Sequence, residues 1–273
     1  MYFLLTCLFN RCFMILRLLW RIVQPVYSAY ALGLFFVTMI PALTFYLLLA
    51  PLPGTVRMRI IYVYNRIWLF TWGICCGIPI LVRNNEKRNP KENYVFLSNH
   101  CNILDIILCG SCIQHPFQPL IKKELLRVPL LGQLLLLTSI PVDRSSAESR
   151  KESLKVMTAK MQRGMSILIF PEGTRNRTDQ PLKDFYDGGF RLAIAAQTPI
   201  LPIVLLDLRE RQPVGSLLFS PGVVSLNYLD PVPTAGLTES DTDALKEKVR
   251  EIMYRFIVEN DRSFRHLSAT SAR

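Results

Sequence analysis

The chain has 273 residues, half of them hydrophobic, and a formal net charge of +11, enough for one mid-sized domain and an accessory segment. Mean hydropathy is +0.25, high for a wholly soluble protein, and the excess sits mostly in residues 1–82. A basic surface suits nucleic acid, anionic headgroups or phosphorylated substrates, and the apolar N-terminus favours the last two; seven cysteines, an odd count in apolar context, argue against a secreted disulfide framework.

Residues 1–24 are apolar apart from Arg11, Arg17, Arg21 and a few small polar residues. On a helix those arginines share an arc of about 120°, which predicts a segment lying in the headgroup plane. Val26 to Ala50 carries no charge and, at about 37 Å of helix, is long enough for one bilayer crossing, with Pro41 a point for a kink or a two-piece insertion. Pro51-Leu52-Pro53-Gly54 is a stop signal. From Val56 to Cys76, arginines alternate with aromatic and aliphatic residues, which suits a helix at the membrane–water boundary.

From Gly77 the pattern becomes globular. Strands are expected over Ile78–Val82, Tyr94–Ser98, Phe117–Ile121, Ile167–Phe170 and Ile200–Leu206, with a further apolar run over Leu134–Val142. Helices are expected over Ile103–Cys112, Ser145–Gln162, Phe190–Gln197 and Asp241–Glu259; Ser145 and Glu148 have the spacing of a capping box. Leu217–Leu229 reads as two strands broken at Ser220-Pro221-Gly222, and the chain from Ser263 as a polar, frayed tail. Strand and helix in alternation predict an α/β fold, a mostly parallel sheet flanked by helices behind an N-terminal helical membrane-anchoring segment. The domains expected are membrane-associated helices over 1–76, a globular domain over 77–262 and a polar tail over 263–273.

Two runs concentrate chemistry at strand ends: Ser98-Asn99-His100-Cys101-Asn102-Ile103-Leu104-Asp105, and Phe170-Pro171-Glu172-Gly173-Thr174-Arg175. Five residues apart on one helix is about 140°, so His100 and Asp105 meet only if His100 lies in the turn before the helix and Asp105 one turn inside. The carboxylate would then hold one ring nitrogen and leave the other free as a base, the His–Asp half of a triad. No serine or cysteine is placed as an obvious enzyme nucleophile, so the nucleophile is expected on the substrate. Gly173 allows a tight turn, Arg175 offers a planar fork for phosphate, and Glu172 is placed to orient that arginine or a sugar-like hydroxyl. Lys122, Lys123 and Arg144 are further cations after apolar runs. His115 and His266 have no useful partners in sequence, no metal-ligand cluster stands out, and Cys109-Gly110-Ser111-Cys112 reads as small buried residues rather than a redox or zinc site.

In order, Asn99-His100 through Asp105, Ile140 to Arg144, Phe170 to Arg175 and Thr198 to Ile203 resemble the four blocks of the glycerolipid acyltransferase family that includes 1-acyl-glycerol-3-phosphate acyltransferases. Lys122-Lys123-Glu124-Leu125 has the same look, and the resemblance spans about 77–232. Cys101-Asn102 stands where Gln-Ser is often found, Pro141 where an aromatic is common, and Asp187 where a basic residue is usual.

The resemblance implies that residues 77–262 are an acyltransferase domain with His100 and Asp105 catalytic. Lys122, Lys123, Arg144, Glu172, Gly173, Thr174 and Arg175 would bind substrate, with amides near Gly173 steadying the oxyanion. It further implies transfer from acyl-CoA or acyl carrier protein to the sn-2 hydroxyl of lysophosphatidic acid, with no metal or other cofactor. Membrane lipids and a lysophospholipid acceptor are the expected partners and nucleic acid is not. The expected location is a membrane, read as a bacterial inner membrane with the site on its cytoplasmic side. Other lysolipids or glycerol 3-phosphate are alternative acceptors; a tethered binding module for anionic lipid or nucleotide is the non-enzymatic alternative.

Overall fold

The computed structural model describes residues 2–142 and 147–268, with side chains from residue 18 onward except at 55, 147, 150, 265 and 268. The first helix, α1 (Tyr2–Leu48), is continuous, so the expected division near residue 25 does not occur. Pro25 and Pro41 both lie inside it. The second helix, α2 (Gly54–Cys75), folds back along α1 after the Pro-rich stop. Trp72 Nε1 donates to Ala31 O at 3.0 Å and Trp68 Nε1 to Thr38 Oγ1 at 2.9 Å, while the Tyr46 hydroxyl reaches Asn65. Pairs that rise along α1 and fall along α2 define an antiparallel hairpin.

The inner face of that hairpin buries Met39, Ala42, Tyr46, Met58 and Ile61. Its outer face leaves Ile22, Val26, Val37, Ile40, Val63, Ile67 and Phe70 exposed. Apolar exposure on this scale marks a partner or a bilayer. Leu18–Leu48 is long and apolar enough to cross a membrane: its 31 residues reach about 46 Å against a hydrocarbon core of about 30 Å. The hairpin is consistent with membrane association.

Seven strands follow: β1 (Ile80–Arg83), β2 (Val95–Ser98), β3 (Phe117–Lys122), β4 (Ile140–Val142), β5 (Ser166–Ile169), β6 (Ile200–Leu206) and β7 (Val224–Tyr228). They form one sheet in the order β1-β7-β6-β2-β5-β3-β4, parallel throughout except where β6 meets β7. The central strands β2, β5 and β6 are buried at every position, as a sheet covered on both faces requires. The helix after β2, α3 (Leu104–Cys112), packs under α2 on one face. The other face carries α5 (Ala147–Gln162), α6 (Gly188–Ala195) and α8 (Thr242–Asn260), through Met157, Met161, Phe190, Val249 and Met253. The apolar run before β4 is itself mostly helix, α4 (Leu131–Thr138), and a short helix α7 (Leu208–Arg211) follows β6.

Two expectations are corrected. Leu217–Phe219 is not a strand: Phe219 is buried against α1, and its amide donates to Ser28 Oγ at 2.8 Å. The chain does not fray at Ser263, because Phe264 is buried in the core and residues 262–268 continue helically. Ser145, the expected cap of α5, lies outside the described residues.

Candidate active site

All of β2, β5, β3 and β4 point the same way, so the turns after them meet along one sheet edge. In such sheets, binding groups gather beyond the strands' C-terminal ends. β2 delivers the first group. Asn99 is buried and its side chain reads the backbone of β6 twice, donating to Leu205 O at 2.9 Å and accepting from Leu205 N–H at 2.8 Å. Asn102 Oδ1 accepts the Leu104 amide at 3.0 Å, and its amide group donates to Leu208 O and Gln212 O. These two side chains hold the turn at both ends, which leaves His100 before the helix and Asp105 in its first turn.

The Asp105 carboxylate is fully buried. Its Oδ2 faces His100 Nδ1 at 2.6 Å and accepts the amides of Cys101 at 2.6 Å and Asn102 at 3.0 Å. A carboxylate with two backbone donors already in place favours the His100 tautomer that carries its proton on Nδ1, leaving the Nε2 lone pair available. The imidazole stacks on Phe170, ring centres 4.2 Å apart, and its side chain is 20% exposed, enough for a substrate atom to approach. The Cys101 thiol also points at Asp105, Oδ1 at 3.5 Å, and burial pushes it well above the ordinary thiol range, so it is not a nucleophile.

β5 delivers the second group, and here the geometry departs from expectation. Glu172 is 1% exposed and does not orient Arg175. Its Oε1 accepts the His100 amide at 2.8 Å and its Oε2 accepts the Lys183 amide at 3.0 Å. Burial raises its carboxyl to about 7, although both amides and His100 oppose the shift. Gly173 adopts φ +69°, the left-handed region its lack of Cβ permits. Its amide donates to Phe170 O at 3.0 Å and that of Thr174 to Glu172 O at 2.8 Å. Both N–H groups are thus used inside the turn rather than presented to an oxyanion. Thr174 and Arg175 stand exposed at its tip, and Arg175 makes no ion pair among the described residues.

Two of the other predicted cations lie at the end of β3, on the same edge. Lys122 ends β3, side chain 70% exposed, with Glu124 Oε1 at 3.6 Å. Lys123 lies on the exposed turn that follows. Arg144 lies outside the described residues. His115 is buried and its imidazole pushed down to about 4, first by burial and then by Arg88. Sequence reading missed Asn176, whose amide donates to His100 O at 2.6 Å, and Lys183, whose Nζ lies 2.7 Å from Thr174 Oγ1. Neither carried a signal beyond lying downstream of the Phe170–Arg175 run. Behind the site an apolar cavity of about 110 Å³ opens between α2, α3 and α4, lined by Met58, Trp68, Leu69, Ile107, Gly110 and Leu134 among others.

Residues 79–206 match the acyltransferase family model. The chain is 33% identical over 184 residues to the human 1-acyl-sn-glycerol-3-phosphate acyltransferase alpha, covering 65% of this chain and 63% of that one. It thus spans somewhat less than two thirds of that relative's length. It is 30% identical over 219 residues to the 1-acyl-sn-glycerol-3-phosphate acyltransferase of Limnanthes douglasii, covering 76% and 73% of the two chains. The fold is that of the crystal structure of the 1-acyl-sn-glycerophosphate (LPA) acyltransferase PlsC from Thermotoga maritima, with a TM-score of 0.73 at 21% identity over 88% of this chain and 96% of that one.

Proposed function

Because the chain belongs to the acyltransferase family that includes the 1-acyl-sn-glycerol-3-phosphate acyltransferases, we propose that it acylates the sn-2 hydroxyl of lysophosphatidic acid, giving phosphatidic acid. The observation that carries this reading is the His100–Asp105 contact of 2.6 Å, made from a turn that the His100 amide ties to Glu172 in the Phe170–Arg175 run. Nε2 of His100 takes the hydroxyl proton as the oxygen attacks the carbonyl carbon of an acyl thioester. A C–O bond forms, the C–S bond breaks, and the proton passes from Nε2 to the departing thiolate. Asp105 stabilises the imidazolium between the two transfers. Arg175, Lys122 and Arg144 are assigned to the acceptor phosphate. Lys123 stands among these cations, and Thr174 offers its hydroxyl beside Arg175.

The donor in this reading is acyl-CoA or acyl carrier protein, no cofactor takes part, and the lysolipid arrives from the bilayer along the exposed face of the α1–α2 hairpin. The apolar cavity is suited to acyl methylenes. The site is taken to lie on the cytoplasmic side of the membrane, a reducing compartment that the free cysteines at 75, 76, 101, 109 and 112 fit. The test is an acyl-transfer assay in isolated membranes with a labelled acyl thioester and a panel of lysolipids, on the wild type and His100→Ala. Lysophosphatidate should be the best acceptor. Equal transfer by both proteins would falsify the mechanism.

A further inference from the structure

The phosphate tip carries a cation that lies outside the four blocks, Lys183. Its Nζ sits 2.7 Å from Thr174 Oγ1, the hydroxyl of the residue that precedes Arg175. An ammonium has three donors, and the threonine hydroxyl takes one. No carboxylate takes the others: among the described residues Lys183 makes no ion pair. The acidic residues that follow it in sequence are committed elsewhere. Asp184 faces Arg250 at 3.9 Å, and Asp187 faces Lys246 at 2.8 Å and Arg191 at 3.9 Å. Asp187 therefore serves α6 and α8.

The root of Lys183 is also fixed. Its amide bonds one oxygen of Glu172 while the amide of His100 bonds the other. One buried carboxylate thus sets the backbone positions of the base and of this lysine together, and the side chain extends from a rigid point to the tip. Holding a lysine against a neutral hydroxyl beside an unpaired arginine gains little in the free protein. It becomes favourable when a dianion arrives, because charge-assisted hydrogen bonds from two cations then converge on it.

We propose that Lys183 binds the acceptor's phosphate together with Arg175 and selects lysolipids that end in a phosphate monoester. The proposal rests on the acyl-transfer reading for its substrate and deepens it by naming the selecting residue. A terminal monoester offers three oxygens and close to two negative charges near neutral pH, against one charge for a phosphodiester headgroup. A second cation therefore favours the former.

The test compares wild type, Lys183→Gln and Lys183→Arg in two arms. In the first, binding of labelled lysophosphatidate and of lysophosphatidylcholine is measured in mixed micelles without donor. Lys183→Gln should weaken lysophosphatidate binding about tenfold, the scale of a lost hydrogen bond to a charged group. It should leave lysophosphatidylcholine binding unchanged, and Lys183→Arg should recover most of the loss. In the second arm, Lys183→Gln should raise the acceptor KM by a similar factor with kcat and donor KM within about twofold of wild type. Unchanged lysophosphatidate binding overturns the proposal, as does equal weakening for both lipids. So does a loss in both variants accompanied by a lowered Tm, which would mark a structural clip. Absent transfer by the wild type sinks the acyl-transfer reading alone, since the binding arm still decides the role of Lys183.

Discussion

Asp105 reaches back across the turn to His100: its Oδ2 lies 2.6 Å from the ring Nδ1, while the same oxygen gathers the amides of Cys101 and Asn102. One oxygen thus fixes both the backbone of the turn and the orientation of the imidazole. Asp105→Asn presents either an amide oxygen without charge or an NH₂ group that repels the Nδ1 proton. The expected fall in kcat is about 10³–10⁴-fold, similar to His100→Ala, with the double variant no worse than either single one, since the two act as a unit. Steady-state kinetics on purified membranes check this; additive losses would show that the residues work separately.

Glu172 and His115 make the pH dependence of stability a contest of opposite signs. Glu172 is raised from 4.5 to about 7 by burial. Its contribution is therefore fully present below pH 4.5 and lost as pH rises through about 7, a change of about 3 kcal/mol. His115 is lowered from 6.5 to about 4, so its contribution is present above pH 6.5 and lost as pH falls through about 4. Between pH 4.5 and 6.5 the two slopes oppose each other. Glu172→Gln should expose the His115 slope, with Tm rising over that window more steeply than in wild type. His115→Gln should do the reverse. Thermal unfolding in detergent micelles from pH 4.5 to 7.5 reads both; parallel curves for all three proteins would contradict the assignment.

How much of this could be read without coordinates divides along contact range. His100 and Asp105 are five residues apart, so helix geometry alone stated the condition for their meeting, one outside the helix and the other in its first turn. The Phe170–Arg175 turn was equally visible, because Gly173 and the apolar run before it are local signals. The backbone partners of Glu172, read in sequence toward Arg175 or a sugar-like hydroxyl, were missed for the opposite reason. Its contacts with His100 depend on β2 lying beside β5, and strand order is a non-local property. Ile80 pairing with Val224 at the sheet's far edge is another case. Leu217–Phe219 had strand-like composition, and tertiary packing on α1 overrode it. The continuous α1 was hidden by the change from an arginine-bearing stretch to an uncharged one, which reads as two segments although the helix runs on through Pro25.

Gly110 controls the cavity behind the site. A Cβ built there would stand 2.5 Å from Leu69 Cδ1, and both residues line the apolar space. Leu69 is a flexible side chain that lines the same space, so Gly110→Ala should shrink the volume open to an acyl chain rather than unfold α3. Transfer from long-chain thioesters should fall several-fold relative to medium-chain ones, with acceptor KM unchanged. A one-methyl difference in an apolar pocket is worth about 1–3 kcal/mol. A donor chain-length series measures it, and an unchanged chain-length profile would place the acyl chain elsewhere.

Arg209, on α7, is expected to govern the loop that follows the Thr174–Arg175 tip. Its guanidinium donates to Thr178 O at 2.7 Å and Gln180 O at 3.2 Å, and lies 4.9 Å from the centre of the Phe264 ring. Asn176 closes the same loop from inside, donating to Gln180 O and accepting from the Thr178 amide. The loop is therefore tied to the end of β6 and to the C-terminal segment at once. Arg209→Ala removes both donors and the ring contact, which at this partly exposed position is worth about 1 kcal/mol. For a chain of this size, Tm should drop by about 2–4 °C. Because the loop leaves directly from Arg175, acceptor KM should rise while donor KM stays constant. Arg209→Lys, which keeps the charge but not the fork, should restore less than half of either effect. A Tm loss without any change in acceptor KM would confine Arg209 to stability, and the alignment of the phosphate tip would then rest on Asn176 and Glu172.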